Sequence, residues 1–225
     1  RTILKRPVKV EASQVSSTAD TVQQYLYHTN KSDKTELLAH ILDEHNIDQV
    51  LVFCRTKHGA DRVTRNLNKK RINSAAIHGD KAQNSRQRVL QQFKDRELRV
   101  LVATDIAARG IDINKLKFVI NFDIPNVPET YVHRIGRGGR AGDEGIAISI
   151  CEPEENVYIK DIEKLITQKI EVISDNPFPQ TDTPMTKEER REFEKEKNRR
   201  KQEFFAARKK KRDGATPKSN PRNKR

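Results

Sequence analysis

The chain has 225 residues, with 45 Lys+Arg against 32 Asp+Glu, a formal net charge of +13. That length holds one large domain or two small ones, and the positive excess favours an anionic partner such as nucleic acid. With two cysteines, no CxxC or clustered His/Cys spacing, no apolar run of membrane length and no apolar core in the first ten residues, the sequence argues against disulfide, zinc, membrane-spanning and secretory classes. It predicts a soluble cytoplasmic protein with no metal site of its own, whose Cys54 and Cys151 are buried thiols in a reducing compartment.

Residues 1–21 have no clear period, begin basic and contain a proline, and read as a linker. From 22 to 173 the pattern alternates. Val22–His28 is strand-like. Asp33–His45 is helical, with Leu37, Leu38, Ile41 and Leu42 on one face and Ser32 or Asp33 as its cap. Val50–Cys54 is a buried strand, Gly59–Lys70 a helix, Ser74–Ile77 a strand, and Ala82–Asp95 a helix with Val89, Leu90 and Phe93 inward. Val100–Ala103 is a strand followed by a compact turn and short helix to Gly110. Phe118–Phe122 is a strand, Pro128–Arg137 a helix, Gly145–Cys151 a strand and Asn156–Ile166 a helix. Strands alternating with helices predict an α/β fold built on a mainly parallel sheet with helices on both faces. Ligands of such sheets gather beyond the carboxyl ends of the strands, which puts the segments after Cys54, Ile77, Ala103 and Asn121 on one rim.

Residues 174–225 form a basic extension that opens on a Pro-containing break. Lys187–Arg225 carries 17 Lys+Arg and 7 Asp+Glu, whereas the preceding 186 residues carry 28 and 25, so most of the net charge belongs to this tail. Its opposite charges pair at helical spacings, as in Glu192–Lys195 and Glu196–Arg200. A solvated helix and a segment disordered until bound both fit that pattern.

Four rim segments carry chemistry. Phe53-Cys54-Arg55-Thr56-Lys57 is a strand ending in polar residues, and taken alone an ordinary strand end with a helix cap explains it better than a ligand does. Ile77-His78-Gly79-Asp80 precedes Gln83 and Arg86, which share one face of a helix's first turn, where free N–H groups and the guanidinium suit a phosphate. Ala103-Thr104-Asp105-Ile106-Ala107-Ala108-Arg109-Gly110-Ile111-Asp112 joins a capping pair, small residues that permit close approach, and a carboxylate at Asp112. The octapeptide His133-Arg134-Ile135-Gly136-Arg137-Gly138-Gly139-Arg140 packs three arginines, which grip phosphate oxygens through a planar fork, among three glycines.

The blocks LVFCRTK, IHGDKAQNSR, VLVATDIAARGID and YVHRIGRGGR, in this order and spacing, resemble the second, C-terminal RecA-like domain of a bacterial DEAD-box ATP-dependent RNA helicase. The likeness covers residues 22–173. It implies that Arg137 and Arg140 are arginine fingers reaching the γ-phosphate of ATP held on a first domain, and that Asp112 meets the ATP ribose. It implies that Arg55, Thr56, Gly79, Gln83, Arg86, Thr104 and Gly110 line an RNA backbone. It further implies that Asp105 and Arg109 brace that surface and that His133 links the ATP and RNA sites across the interdomain cleft. Gly138 departs from the family, which usually has Thr or Ser there, and the Gly138-Gly139 pair is expected to loosen the finger segment.

ATP chemistry in this family needs a GxxxxGK[ST] loop and an acidic strand end for Mg²⁺, and this sequence has neither. Asp43-Glu44-His45 ends an amphipathic helix, not a strand. The sequence therefore predicts half of a site: the C-terminal portion of an RNA helicase, inactive as an ATPase alone, with ATP and Mg²⁺ held mainly by the missing first domain. A stand-alone, non-enzymatic RNA-binding or regulatory module is the alternative. A DNA-directed enzyme of the same superfamily stays open, because the two backbones differ mainly by the 2′-OH.

Overall fold

A computed structural model describes residues 22–109, 113, 116–139 and 145–213. The chain divides into two compact units, one ending at Asp182 and one from Thr183. In the first, seven strands form one sheet: β1 (Val22–His28), β2 (Val50–Phe53), β3 (Ser74–Ile77), β4 (Val100–Ala103), β5 (Phe118–Asn121), β6 (Gly145–Cys151) and β7 (Glu171–Ile173). Their order is β3-β4-β2-β5-β6-β1-β7, and every pair is parallel.

Parallel strands with both faces covered read as continuous apolar runs, and their alternation sorts them between two layers. Val50, Val52 and Cys54 meet Leu37, Leu38 and Ile41 of α1 (Lys34–Glu44) and Val63 and Leu67 of α2 (Lys57–Lys69) on one face. Leu51 and Phe53 face the other way, towards Val89 and Phe93 of α3 (Gln83–Lys94) and Ala107 and Ala108 of α4 (Asp105–Ala108). Farther along that face, Val22, Leu26 and Ala147 pack under Tyr131, Val132 and Ile135 of α5 (Pro128–Ile135) and Ile159, Ile162 and Ile166 of α6 (Asn156–Ile166). Both cysteines are buried and free.

The expected helices and strands are present, with small shifts of boundary. Helix α2 starts at Lys57 rather than Gly59, because Thr56 takes the cap position and its hydroxyl accepts from the Gly59 N–H at 3.0 Å. Asp33 does precede α1, but its carboxylate accepts from Ser32 Oγ and Asn30 Nδ2 instead of a helix N–H. Strand β7 was not expected; only three residues long, it adds beside β1 through Tyr25–Tyr27. The chain after it returns to the domain, where Asn30 Oδ1 accepts from the N–H groups of Thr181 and Asp182 at 2.9 and 2.8 Å, and Phe178 packs edge-on to His40.

Among the described residues the second unit holds one helix, α7 (Lys187–Asp213), so the basic tail is helical there. Thr186 and Glu189 form a reciprocal cap: the Thr186 N–H donates to Glu189 Oε2 at 2.7 Å and the Glu189 N–H to Thr186 Oγ1 at 3.2 Å. Glu196 accepts from Arg199 and Arg200, both at 2.9 Å. Phe193, Phe204 and Phe205 are exposed.

Candidate functional site

The register of the sheet builds the rim. Phe53 lies beside Ala103 on one side and Asn121 on the other, and Ile77 pairs with Ala103. The segments that follow these four residues therefore emerge side by side. Backbone bonds continue past the strands: the Cys54 N–H donates to Ala103 O at 2.9 Å and the Phe122 N–H to Phe53 O at 3.0 Å.

Behind the rim, α5, which leads into Arg137, is anchored by Arg134, a residue to which the sequence alone assigns no separate role. Arg134 is 2% exposed. Its Nε and Nη2 donate to the two carboxylate oxygens of Asp105 at 2.6 and 2.9 Å. Its Nη1 donates to Asn121 Oδ1 at 3.1 Å and to the Asp123 carbonyl at 2.7 Å. The guanidinium lies over the Phe53 ring, 5.1 Å from its centroid. Three strand ends, those of β2, β4 and β5, thus meet on one cation. One turn earlier on α5, the buried Tyr131 hydroxyl donates to Gln24 Oε1 at 2.8 Å. A signal existed in the sequence: Gln24, Asn121 and Ser149 are polar residues at inward positions of apolar strands, and buried polar groups need partners.

This anchoring presents a pocket of about 190 Å³ lined by Asp105, Arg109, Thr130, His133, Arg134 and Arg137, with Phe53 and Ala108 at its apolar wall. Four of the residues expected to act together, Asp105, Arg109, His133 and Arg137, converge here from two separate segments. Arg109 and His133 are exposed and Arg137 half-exposed. Among the described residues no carboxylate pairs with Arg137, so its fork is open to an anion. Gly110, Asp112 and Arg140 lie outside the described residues.

The glycines after α5 are held firmly, contrary to the looseness expected of them. The Gly138 N–H donates to Ile135 O at 2.9 Å and the Gly139 N–H to Leu116 O at 3.2 Å. A Cβ on Gly138 would lie 3.3 Å from Ile135 O, and one on Gly145 would lie 2.6 Å from Gly139 N. Gly139 has φ 48°, the left-handed region that favours glycine. Close backbone approach, not freedom, is what these residues provide.

The remaining predicted residues lie farther along the rim. Thr104 is nearly buried ahead of α4, its N–H directed at Ile77 O. Arg86 Nη1 donates to Gln83 Oε1 at 3.1 Å on the first turn of α3. A Cβ on Gly79 would meet nothing within 4 Å, so packing within the chain does not demand glycine there.

Arg55 and Thr56 line a wider groove of about 590 Å³ between α1 and α2, with Lys31, Gly59, Arg62 and Asn66. Arg55 is already engaged inside the chain. Its Nη2 donates to Ile124 O at 2.7 Å and Glu155 Oε1 at 2.6 Å, and its guanidinium lies 5.7 Å from the Tyr158 ring centroid. Glu155, buried, also accepts from Lys34 Nζ at 2.8 Å. Burial pushes the Lys34 pKa down, but Glu155 and Asp123 outweigh it and the net direction is upward, so the ammonium stays charged. These buried charges were not legible as partners, because more than a hundred residues separate Lys34 from Glu155.

Comparison with known proteins fits this geometry. The family described as "Helicase conserved C-terminal domain" matches residues 33–142. The ATP-dependent RNA helicase CshA of Limosilactobacillus reuteri is 41% identical over 158 residues, covering 70% of this chain and 31% of that protein. The solved Escherichia coli DEAD-box protein SrmB, bound to the regulator of ribonuclease activity A, superposes with a TM-score of 0.68 at 33% identity, covering 73% of this chain and 98% of that one. The chain belongs to the DEAD-box RNA helicase family. Within that family it is a RecA-like C-terminal helicase domain, and it spans about a third of the length of the curated relatives it matches. Another DEAD-box relative, Dbp5 of S. cerevisiae bound to RNA and ADP BeF3, superposes with a TM-score of 0.67 at 28% identity, covering 73% of this chain and 44% of that one.

Proposed function

We propose that this chain is the C-terminal part of a cytoplasmic ATP-dependent RNA helicase, supplying arginine fingers and part of an RNA-binding surface. The observation that carries the reading is the pocket where Arg137 and His133 of the α5 segment meet Asp105 and Arg109 of the α4 segment, with the Arg137 guanidinium unpaired by any carboxylate among the described residues. Bound ATP would supply a phosphoanhydride whose cleavage drives RNA remodelling, with Mg²⁺ held mainly by a first RecA-like domain. Arg137 and Arg140 would stabilise charge on the transferred phosphoryl group, and Asp112 would hold the ribose. Arg134 fixes the helix that aims Arg137, a preorganisation on which such electrostatic stabilisation depends. Thr56, Gly79, Gln83, Arg86, Thr104 and Gly110 would follow an RNA backbone, with Arg55 at its margin.

The test is ATP hydrolysis in the presence of RNA, measured for the chain alone and joined to the first RecA-like domain of a bacterial relative. The chain alone should hydrolyse nothing. The joined protein should turn over, and Arg137→Ala should lower its rate by about 10³–10⁵. Helicase-like turnover by the chain alone, or full activity in the Arg137→Ala protein, overturns the proposal. RNA binding without any turnover in the joined protein favours the non-enzymatic module.

A further inference from the structure

Helix α2 carries a row of basic residues that none of the residues assigned above includes. Its buried residues, Ala60, Val63 and Leu67, define the inward face. His58, Arg62, Arg65 and Lys69 follow one another at spacings of four, three and four residues, so at 100° per residue they fall on one stripe away from that face. All four are exposed. The stripe runs for about 16 Å at 1.5 Å per residue.

Both flanks of α2 are neutralised, and the stripe between them is not. On one flank Lys70 pairs with Glu36 of α1 at 2.5 Å. On the other, Asp61 accepts from Lys81 at 2.9 Å and Lys57 pairs with Asp80 at 2.6 Å. Among the described residues no carboxylate lies within ion-pair distance of Arg62, Arg65 or Lys69. Burying or screening a surface cation within the chain is ordinary; leaving three in a row without a counter-charge makes a surface complementary to an anion of regular spacing.

We infer that this stripe is a phosphate track that extends the RNA path along α2 from Thr56. Continuity carries the choice of RNA over an acidic protein segment. Arg62 and Asn66 form the wall of the same groove whose mouth holds Thr56 and Gly59 at the head of the helix. A strand leaving Thr56 along that wall meets Arg62, from which the stripe continues beyond the groove through Arg65 and Lys69. Their successive separations of about 4.5–6 Å along the helix axis present positive charge at regular intervals to a backbone lying along the helix. The inference rests on the RNA-binding reading above and adds a surface to it.

The experiment uses the full chain and a fluorescein-labelled single-stranded oligouridylate, with binding followed by polarisation over a salt series. Three variants are compared with the parent. The stripe variant is Arg62→Gln/Arg65→Gln/Lys69→Gln. A charge-matched control is Lys160→Gln/Lys164→Gln/Lys169→Gln, on and just after α6, and Arg86→Gln probes the RNA surface already assigned. The stripe variant should lose about tenfold in affinity at low salt, and its slope of log K against log salt should shrink by about 2, near 0.7 for each cation lost. The charge-matched control should keep the parental slope, and unchanged thermal midpoints will show that all variants fold.

A stripe variant indistinguishable from the charge-matched control, while Arg86→Gln weakens binding, overturns the track and leaves the RNA reading standing. Failure of the parent to bind RNA at all overturns both. A stripe variant that keeps its RNA affinity but no longer binds polyglutamate assigns the surface to an acidic protein and likewise overturns the track.

Discussion

Arg134 and Asp105 are joined by two parallel N–H···O bonds of 2.6 and 2.9 Å, and that pair ties α5 to α4 beneath the candidate ATP-facing pocket. A bidentate fork to a carboxylate is the strongest common arrangement of such groups, and lysine cannot reproduce it. Arg134 is the buried member, whereas the Asp105 side chain is about 35% exposed, so removing Arg134 chiefly leaves the buried Asn121 Oδ1 and the Asp123 carbonyl without their donor.

Arg134→Ala should therefore destabilise the domain by about 1–3 kcal/mol, read as a lowered urea midpoint. Arg134→Lys should recover only part of this, because one ammonium cannot reach Asp105, Asn121 and the Asp123 carbonyl together. A midpoint within error of the parent for Arg134→Ala would refute the anchoring role.

Gly145 and Gly79 should respond oppositely to the same substitution. Gly145→Ala places a Cβ 2.6 Å from Gly139 N, where only backbone movement relieves the clash, whereas Gly79→Ala meets open space. We expect a loss of about 1–3 kcal/mol for Gly145→Ala and a change within about 0.5 kcal/mol for Gly79→Ala. Gly79→Ala should nonetheless weaken RNA binding if the RNA backbone approaches there. Equal stability losses in the two variants would contradict this assignment.

Stability should fall on the alkaline side, starting earlier than lysine or tyrosine alone would cause. Burial pushes the Cys151 thiol up to about 12 and raises Cys54 well above its ordinary value. The unfolded chain releases these protons from about pH 8.5, and the folded chain keeps them, so unfolding becomes easier as pH rises between the two values. Burial also raises Tyr131, and its carboxylate neighbours raise Lys34 against the effect of burial, so both add the same sign at higher pH. Urea midpoints should drop from pH 7.5 to 9.5, and a Cys54→Ala/Cys151→Ala variant should flatten that drop. Both thiols should resist iodoacetamide at pH 8 until denaturant is added. Rapid alkylation of the native protein would show that they are not sealed in.

Deleting residues 187–225 should weaken RNA binding and flatten its salt dependence, because the segment carries 17 of the 45 Lys+Arg. Native-gel or polarisation titrations at two salt concentrations suffice. An unchanged slope would assign the tail to a protein partner or to solubility.

The sequence made the layers legible because buried parallel strands and amphipathic helices differ in period, and Val22–His28, Ser74–Ile77 and Gly145–Cys151 could be bounded to the residue. The convergence of Asp105, Arg109, His133 and Arg137 was legible because each sits just beyond a strand end or on the helix after one. The role of Arg134 was not: its neighbours Ile135 and Arg137 carry the motif, and its four acceptor atoms come from two other segments, at Asp105 and at Asn121–Asp123. Glu155 was hidden for the same reason, as its pairing with Lys34 and Arg55 depends on the sheet order β5-β6-β1. Strand β7 was missed because Glu171–Ile173 is too short to show a period and lies half-exposed at the sheet edge.

That sheet order also constrains how the domain is made. Strand β1, the earliest described strand to leave the ribosome, is flanked by β6 and β7, the two latest. Until Cys151 has emerged, β1 has no neighbour on either side, and its polar backbone edges are open to other chains. The domain should thus stay protease-sensitive in nascent chains arrested before β6 has cleared the exit tunnel and become resistant only after it. Pulse proteolysis of arrested chains would show that step, and resistance gained before β6 emerges would mean that the four strands β3-β4-β2-β5 fold without β1 in place.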